Sequence, residues 1–381
     1  MVVFCLVKIA IASVFPPYRG GIAQFNEALA AALHSAGHDS MGFNFSRQYP
    51  KLLFPGTQQI ETGTDSAFAS IGMIDSMNPL SWKRSARKII AWGPDILILP
   101  FWTAFLAPSL ASLARTAKAL DPSLRVVGLF HNANSHDARW FEQTLTRALV
   151  RRVDQAWTLS KDVSNRLQEI NPNLPIITGF HPLYDHFQPL DNQQDARMQL
   201  GLSNKGKVVL FFGLIRPYKG VDMLLKAAIA LMHSGEDLQV CIAGEPYEPW
   251  TTYQQIIDAS PFSSRFALHL KFIPQDQVHT YFSASDLVCL PYKAASQSGV
   301  TAIAMHYHKP VVATNVGGLK EYFEGSPIGY LSEPDDLEAL IEAIRTALHA
   351  QPAQSEDIMA WNHSFSWEAF VLKCLSPQPR K

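Results

Sequence analysis

Two cations, Arg216 and Lys219, follow the apolar run 208–212 in VVLFFGLIRPYKGVD and precede the helix-like MLLKAAIALM. Phosphate oxygens take charge-assisted hydrogen bonds from Arg and Lys, and the open N–H groups of a helix start add partial positive charge, so this turn suits a diphosphate. Solvated turn cations are the plain alternative, because Arg-x-x-Lys is common in loops. A second turn weighs against it: Ser296, Gln297, Ser298 and Gly299 lie just before a helix expected from about Val300, and exposed N–H groups there form an anion-binding nest. In a third turn Gly317 and Gly318, with Glu321 behind them, let a ligand approach the backbone closely. Three such turns are stronger together than any one.

Earlier in the chain, Gly20 and Gly21 in PPYRGGIAQ separate a first strand from a helix. They either admit an anion or a polar sugar to the backbone or only make room for a tight turn. His131 directly follows an apolar strand at its carboxyl end, where a ligand-facing residue would stand; a histidine satisfied by loop carbonyls fits equally well.

Strands at 8–14, 96–100, 124–130, 156–160 and 175–179, then at 208–212, 239–243, 267–272, 287–291 and 310–314, would position these groups. Helical patterns separate them, among them 23–36, 79–92 and 161–169. Strand and helix alternate throughout, which predicts an α/β protein of two doubly wound, Rossmann-like domains facing across a cleft lined by strand carboxyl ends. The expected domains are 1–188 and 189–360, with 361–381 as a helix or tail returning to the first. The polar stretch 185–203 reads as the linker between them, and 44–78 as a long irregular segment.

At 381 residues the chain is long for a single core. A net charge of -1 removes the basic excess expected of a nucleic-acid binder. The cysteines Cys5, Cys241, Cys289 and Cys374 are far apart and read as core thiols in a reducing compartment. MVVFCLVKIAIASVF is apolar enough to suggest a signal peptide, but Lys8 in its middle and the missing basic n-region favour a buried first strand.

The combination of GGIAQ, FGLIRPYKGVD, SQSGV and HKPVVATNVGGLKE resembles family 4 of the retaining glycosyltransferases, which have the GT-B fold. The resemblance spans nearly the whole chain and is most specific from Val208 to Glu321. It implies transfer of a sugar, with retention, from a nucleotide diphosphate-sugar held by the C-terminal domain to an acceptor on the N-terminal domain. It makes Arg216 and Lys219 the diphosphate cations, Gly299 and Val300 the phosphate-binding amides, and Gly317 and Gly318 the turn beside the donor sugar. Gly20-Gly21 matches the family's N-domain glycine turn, and His131 its histidine at the donor sugar. Two departures stand out. The family's pair of glutamates falls on Ile303 and on Ala295 or Ser296, which leaves the ribose to another group such as Glu245. Its arginine also lies five residues before the lysine, against three here.

No Asp-x-Asp occurs in the chain, so a metal-independent site without a cofactor is expected. A pseudoenzyme that binds nucleotide sugars, and an isomerase using Glu245 and Glu321, are the alternatives. PLSWKRSARKIIAW carries Lys83, Arg84, Arg87 and Lys88 beside Trp82 and Trp92. It suggests a cytoplasmic enzyme that visits the inner face of a membrane to glycosylate a lipid-linked or glycan acceptor, with an ordinary solvated helix as the plainer reading.

Overall fold

The computed structural model describes residues 6–50, 59–60, 68, 70–132, 140–183, 187–295 and 298–376. Cys5, the KLLFPG stretch at 51–56, Asp185, Ser296 and Gln297 lie outside the described residues. The chain divides into two compact units, Met1–Phe180 with Ser366–Lys381, and His181–Phe365.

In the first unit β1 (Lys8–Ser13), α1 (Gly21–Ser35), β2 (Asp39–Arg47), β3 (Ser70–Asp75), α2 (Pro79–Trp92), β4 (Ile96–Phe101), α3 (Ala107–Leu120), β5 (Arg125–Phe130), α4 (Trp140–Val150), β6 (Gln155–Thr158), α5 (Lys161–Ile170) and β7 (Ile176–Thr178) follow one another. The strands form one sheet in the order β3-β2-β1-β4-β5-β6-β7, and their pairings are parallel. β4 is buried along its whole length because helices cover both faces, which is why ILILPF reads as continuous rather than alternating. α1 buries Phe25, Leu29 and Leu33, each contributing roughly 1.5–3 kcal/mol. Asn26 on the same face donates to Ser13 Oγ (2.8 Å) and to the Val14 carbonyl (2.9 Å), tying the helix to the end of β1.

The segment expected to be irregular between Asn44 and Asn78 holds the end of β2 and all of β3. β2 is secured by a polar side chain: Asn44 accepts from Phe15 N–H and donates to Phe15 C=O, both at 3.2 Å. β3 is the sheet's edge, with Ile71 46% exposed, so SIGMID lacks the apolar continuity of an inner strand.

The second unit runs α6 (Gln193–Gln199), β8 (Lys207–Phe212), α7 (Val221–His233), β9 (Leu238–Ala243), α8 (Thr251–Asp258), β10 (Phe266–His269), α9 (Val278–Ala284), β11 (Leu287–Leu290), α10 (Gly299–His306), β12 (Val311–Thr314), α11 (Lys320–Phe323), β13 (Gly329–Ser332), α12 (Leu337–His349) and α13 (Ser355–His363). Its sheet order is β10-β9-β8-β11-β12-β13. The stretch 185–203, expected as a linker, holds α6 and packs on the second core through Phe187, Ala196, Leu200 and Leu202. Its polarity has a structural cause. Asn192 caps α6, and buried Arg197 pairs with Asp286 at 2.6 Å while donating to the Ala284 carbonyl at 3.0 Å. After α13 the chain returns to the first unit as α14 (Trp367–Leu375), whose Phe370 packs edge-on against Phe25 and Phe180.

The strand order reverses between β1 and β4 in the first sheet and between β8 and β11 in the second. Ligands of doubly wound sheets collect at the carboxyl ends of strands flanking such a reversal. The turn holding Arg216 and Lys219 follows β8, and the turn holding Ser298 follows β11.

Candidate functional site

Backbone contacts lock the turns of the second unit together. Gly213 ends β8 with φ 107, and a Cβ there would meet Val300 Cγ2 at 3.3 Å and Lys219 Nζ at 3.4 Å. Gly244 after β9 and Gly220 before α7 leave no room at all: a Cβ would lie 1.9 Å from the Gly213 carbonyl oxygen and 1.9 Å from that of Pro291, respectively. Across the gaps, Ile215 N–H donates to the Glu245 carbonyl (3.0 Å), Tyr247 N–H to that of Ile215 (3.0 Å), Lys293 N–H to that of Tyr218 (2.7 Å) and Gly318 N–H to that of Ala295 (3.2 Å). The turns after β8, β9, β11 and β12 therefore form one framework, although β10 intervenes in the sequence.

Within it the Arg216 guanidinium lies over the Tyr247 ring at 4.9 Å, and Lys219 Nζ over the Tyr292 ring at 5.0 Å. Lys219 is half-buried rather than exposed. Burial pulls its pKa below the ordinary lysine value, with Tyr218 opposing and Arg216 reinforcing the shift. Neutralising anionic oxygens would favour this ammonium's charged form. Tyr292 is buried, and burial pushes its phenol up to about 12. Its hydroxyl is 3.5 Å from Ser298 Oγ, and its carbonyl accepts the Thr314 hydroxyl. Ser298 N-caps α10 without a side-chain hydrogen bond to it, and the first-turn amides of Gly299 and Val300 have no intrahelical carbonyl to meet. Lys219 and Ser298 thus meet at Tyr292, with Gly299 and Val300 opening α10 directly after Ser298, while Arg216 lies over Tyr247 on the adjoining turn. Sequence reasoning missed that tyrosine, although an aromatic with a polar tip directly after a buried strand was the available signal.

Glu245 is half-buried at the start of the turn after β9, where its carbonyl holds Ile215. Gly317, at φ 46, and buried Gly318 form the turn after β12, and Glu321 sits half-buried on α11. Ile303 and Ala295, at the positions of the family's glutamates, are buried in the second core.

In the first unit Gly20 has φ 105, and a Cβ there would meet nothing within 4 Å, so conformation and not crowding demands glycine. Gly21 opens α1. His131 is buried at the end of β5, its N–H donating to the Phe101 carbonyl (2.8 Å) and its ring edge-on to Phe25 at 4.7 Å. On α2, Lys83, Arg84, Arg87 and Lys88 are exposed. The tryptophans do not share that face. Trp82 donates its indole N–H to the Asp75 carbonyl at 2.7 Å, Trp92 lies beneath Lys8 Nζ at 4.6 Å, and both pack on the first core. Among the described residues no helix is long and apolar enough to cross a membrane.

Comparison with known proteins bears on this arrangement. Residues 206–350 match the family model of glycosyl transferases group 1. A GDP-mannose:glycolipid 4-beta-D-mannosyltransferase of Xanthomonas campestris is 30% identical over 267 residues, 67% of this chain and 70% of that protein. The lipopolysaccharide core biosynthesis mannosyltransferase LpsB of Rhizobium meliloti is 27% identical over 210 residues, 54% of this chain and 59% of that protein. Sucrose-phosphate synthase from Thermosynechococcus elongatus superposes with a TM-score of 0.73 at 18% identity, over 97% of each chain. Anabaena HepE, solved in complex with UDP and glucose, gives 0.73 at 17%, over 97% of this chain and 99% of that one. At those identities the structural likeness is one of fold. With two parallel α/β units, a family model matched over residues 206–350 and a relative followed over 70% of its length, this chain belongs to the group 1 glycosyl transferases and has the GT-B fold.

Proposed function

We propose that the chain transfers a sugar from a nucleoside diphosphate sugar to a hydroxyl of a lipid-linked or saccharide acceptor, with retention and without a divalent ion. The observation that carries this reading is the meeting of Lys219 and the N-terminus of α10 at Tyr292, with Arg216 over Tyr247 on the adjoining turn. Cleaving the sugar–phosphate bond leaves a nucleoside diphosphate bearing developing charge, and aimed cations and amides stabilise that charge without reorganising. The absence of Asp-x-Asp from the sequence supports a metal-free route, and retention rests on the family resemblance. A glycolipid acceptor is supported by the name of the Xanthomonas relative and by the four exposed cations of α2, with Met77 and Leu80, 50% and 72% exposed, at that helix's start. Each cation near an anionic leaflet contributes about 1 kcal/mol.

Real-time NMR of UDP-, GDP- and ADP-sugars mixed with glycolipid and oligosaccharide acceptors in excess EDTA tests the reading. One donor should be consumed, its nucleoside diphosphate should appear, and a new anomeric signal of the donor's own configuration should grow. Appearance of an epimeric nucleotide sugar without acceptor would favour an isomerase. Turnover only with added magnesium or manganese would remove the metal-free claim.

A further inference from the structure

The helix α11 is a single turn, Lys320–Phe323, that follows directly on the turn holding Gly317 and Gly318. So short a helix has no stability of its own, and packing must set where it lies. Leu319, Tyr322 and Phe323 are buried in the second core, while Glu321 is half-buried and Lys320 exposed. On the side of the site, Gly318 N–H donates to the Ala295 carbonyl (3.2 Å) and Leu319 N–H to that of Val316 (3.1 Å). These bonds join α11 to the turn that leads into Ser298 and α10.

On its other side the contacts converge on one side chain. Tyr322 is 1% exposed, and its hydroxyl accepts from the N–H of buried His181 and donates to the carbonyl of the same residue at 3.2 Å. The Tyr322 carbonyl accepts from the Trp361 indole at 3.1 Å, and its ring lies against that of Phe365 at 5.1 Å. Leu183 N–H donates to the Phe365 carbonyl at 2.9 Å, so the segments 181–183 and 361–365 are joined to each other as well. Asn362, beside Trp361, donates to the Met305 carbonyl near the end of α10 at 2.8 Å.

His181 and Phe365 are the first and last residues of the second unit. Tyr322 therefore fastens α11 to both ends of that unit. A phenol suits the task because one hydroxyl can accept and donate at once. Phenylalanine would fill the same space in the core yet take this partner from a buried N–H and a buried carbonyl.

We propose that Tyr322 is a positioning residue: acting through α11, its hydroxyl holds Gly317, Gly318 and Glu321 in place beside the entry of α10, where they form the wall met by the part of the donor beyond its diphosphate. This rests on the transferase reading above. Arg216, Lys219 and Ser298 have their own supports in Tyr247 and Tyr292, so the hydroxyl governs how the sugar is met rather than how the phosphates are held. A misplacement of ~1 Å at such a wall can cost about a hundredfold in rate.

Tyr322→Phe in the full chain tests the proposal by two measurements. Hydrogen–deuterium exchange without ligand should quicken together at 181–183 and 316–323 and stay unchanged in β8 and β11. Calorimetry in excess EDTA uses UDP, GDP and ADP beside UDP-glucose, GDP-mannose and ADP-glucose as probes. The nucleoside diphosphate that binds should keep its affinity within twofold, while the affinity of its sugar nucleotide relative to it changes fivefold or more. If Tyr322→Phe does not fold, Trp361→Phe, which removes the indole bond to the Tyr322 carbonyl, carries both measurements. Exchange that quickens at 181–183 alone, an unchanged affinity ratio, or an equal loss for nucleotide and sugar nucleotide would overturn the positioning role and leave the transferase reading intact. Wild-type protein that binds none of the six probes would sink the transferase reading, and the positioning role with it, even where exchange still couples the two segments.

Discussion

Lys219 shows how function and stability pull against each other at a single side chain. Its ammonium is half-buried beside Arg216, and burial lowers its pKa, so the folded protein holds this charge at a cost when no anion is present. Lys219→Met should therefore raise the thermal midpoint at neutral pH while weakening nucleoside diphosphate binding about 10- to 150-fold, the equivalent of roughly 1.5–3 kcal/mol for a charge-assisted contact. A variant that binds nucleotide unchanged would remove Lys219 from the site. His181 makes a second prediction. It is buried, its Nδ1 lies 2.9 Å from the Pro182 carbonyl, and burial lowers its pKa to about 4. The folded value lies below the unfolded one, so this group's contribution is complete above pH ~6.5 and is lost as pH falls toward 4, by up to roughly 3 kcal/mol. Urea unfolding between pH 7 and 4 should show this decline, and His181→Gln should flatten it; equal slopes in the two proteins would refute the assignment.

At the scale of elements, glycines separate two kinds of turn. Gly220 combines φ 66 with a Cβ position 1.9 Å from the Pro291 oxygen, whereas Gly20 has φ 105 in open space. Gly220→Ala should cost at least about 2 kcal/mol and remove nucleotide binding with it, since the turns after β8 and β11 must part; Gly20→Ala should cost only the backbone strain. Thermal melts of the two variants compare them directly. The helix α2 carries its own test. Four exposed cations predict sedimentation with anionic vesicles at low salt, little with neutral ones, and loss on Lys83, Arg84, Arg87 and Lys88→Gln. Equal partitioning to both vesicle types would discard the membrane proposal. Trp82 is not expected to contribute, because its indole is committed to Asp75.

The same elements show what a sequence discloses. Continuous apolar strands such as β4 and β8 were legible because burial on both faces removes polar alternation. β2 and β3 were not, because an internal asparagine and an exposed sheet edge erase that signature, and α6 was hidden because its polar residues serve as a cap and a buried ion pair. The turns after β8, β11 and β12, which the structure brings together, could be picked out from residue type and spacing. Tyr292 left only a weak signal, an aromatic directly after a buried strand, because its contact with Lys219 arises only when β8 and β11 become neighbours.

For the whole molecule, the second unit brings together turns that are distant in sequence because β8, β11 and β12 lie side by side in its sheet. The central claim is that these turns form a nucleoside diphosphate site. Calorimetric titration of UDP, GDP and ADP into the full chain in excess EDTA addresses it most directly, with Arg216→Ala and Lys219→Ala as companions. One nucleotide should bind without metal, each variant should weaken it about tenfold or more while retaining a cooperative melt, and binding at alkaline pH should take up protons as the phosphate restores the Lys219 charge. Absence of binding by all three nucleotides, or binding that neither variant alters, would contradict the claim.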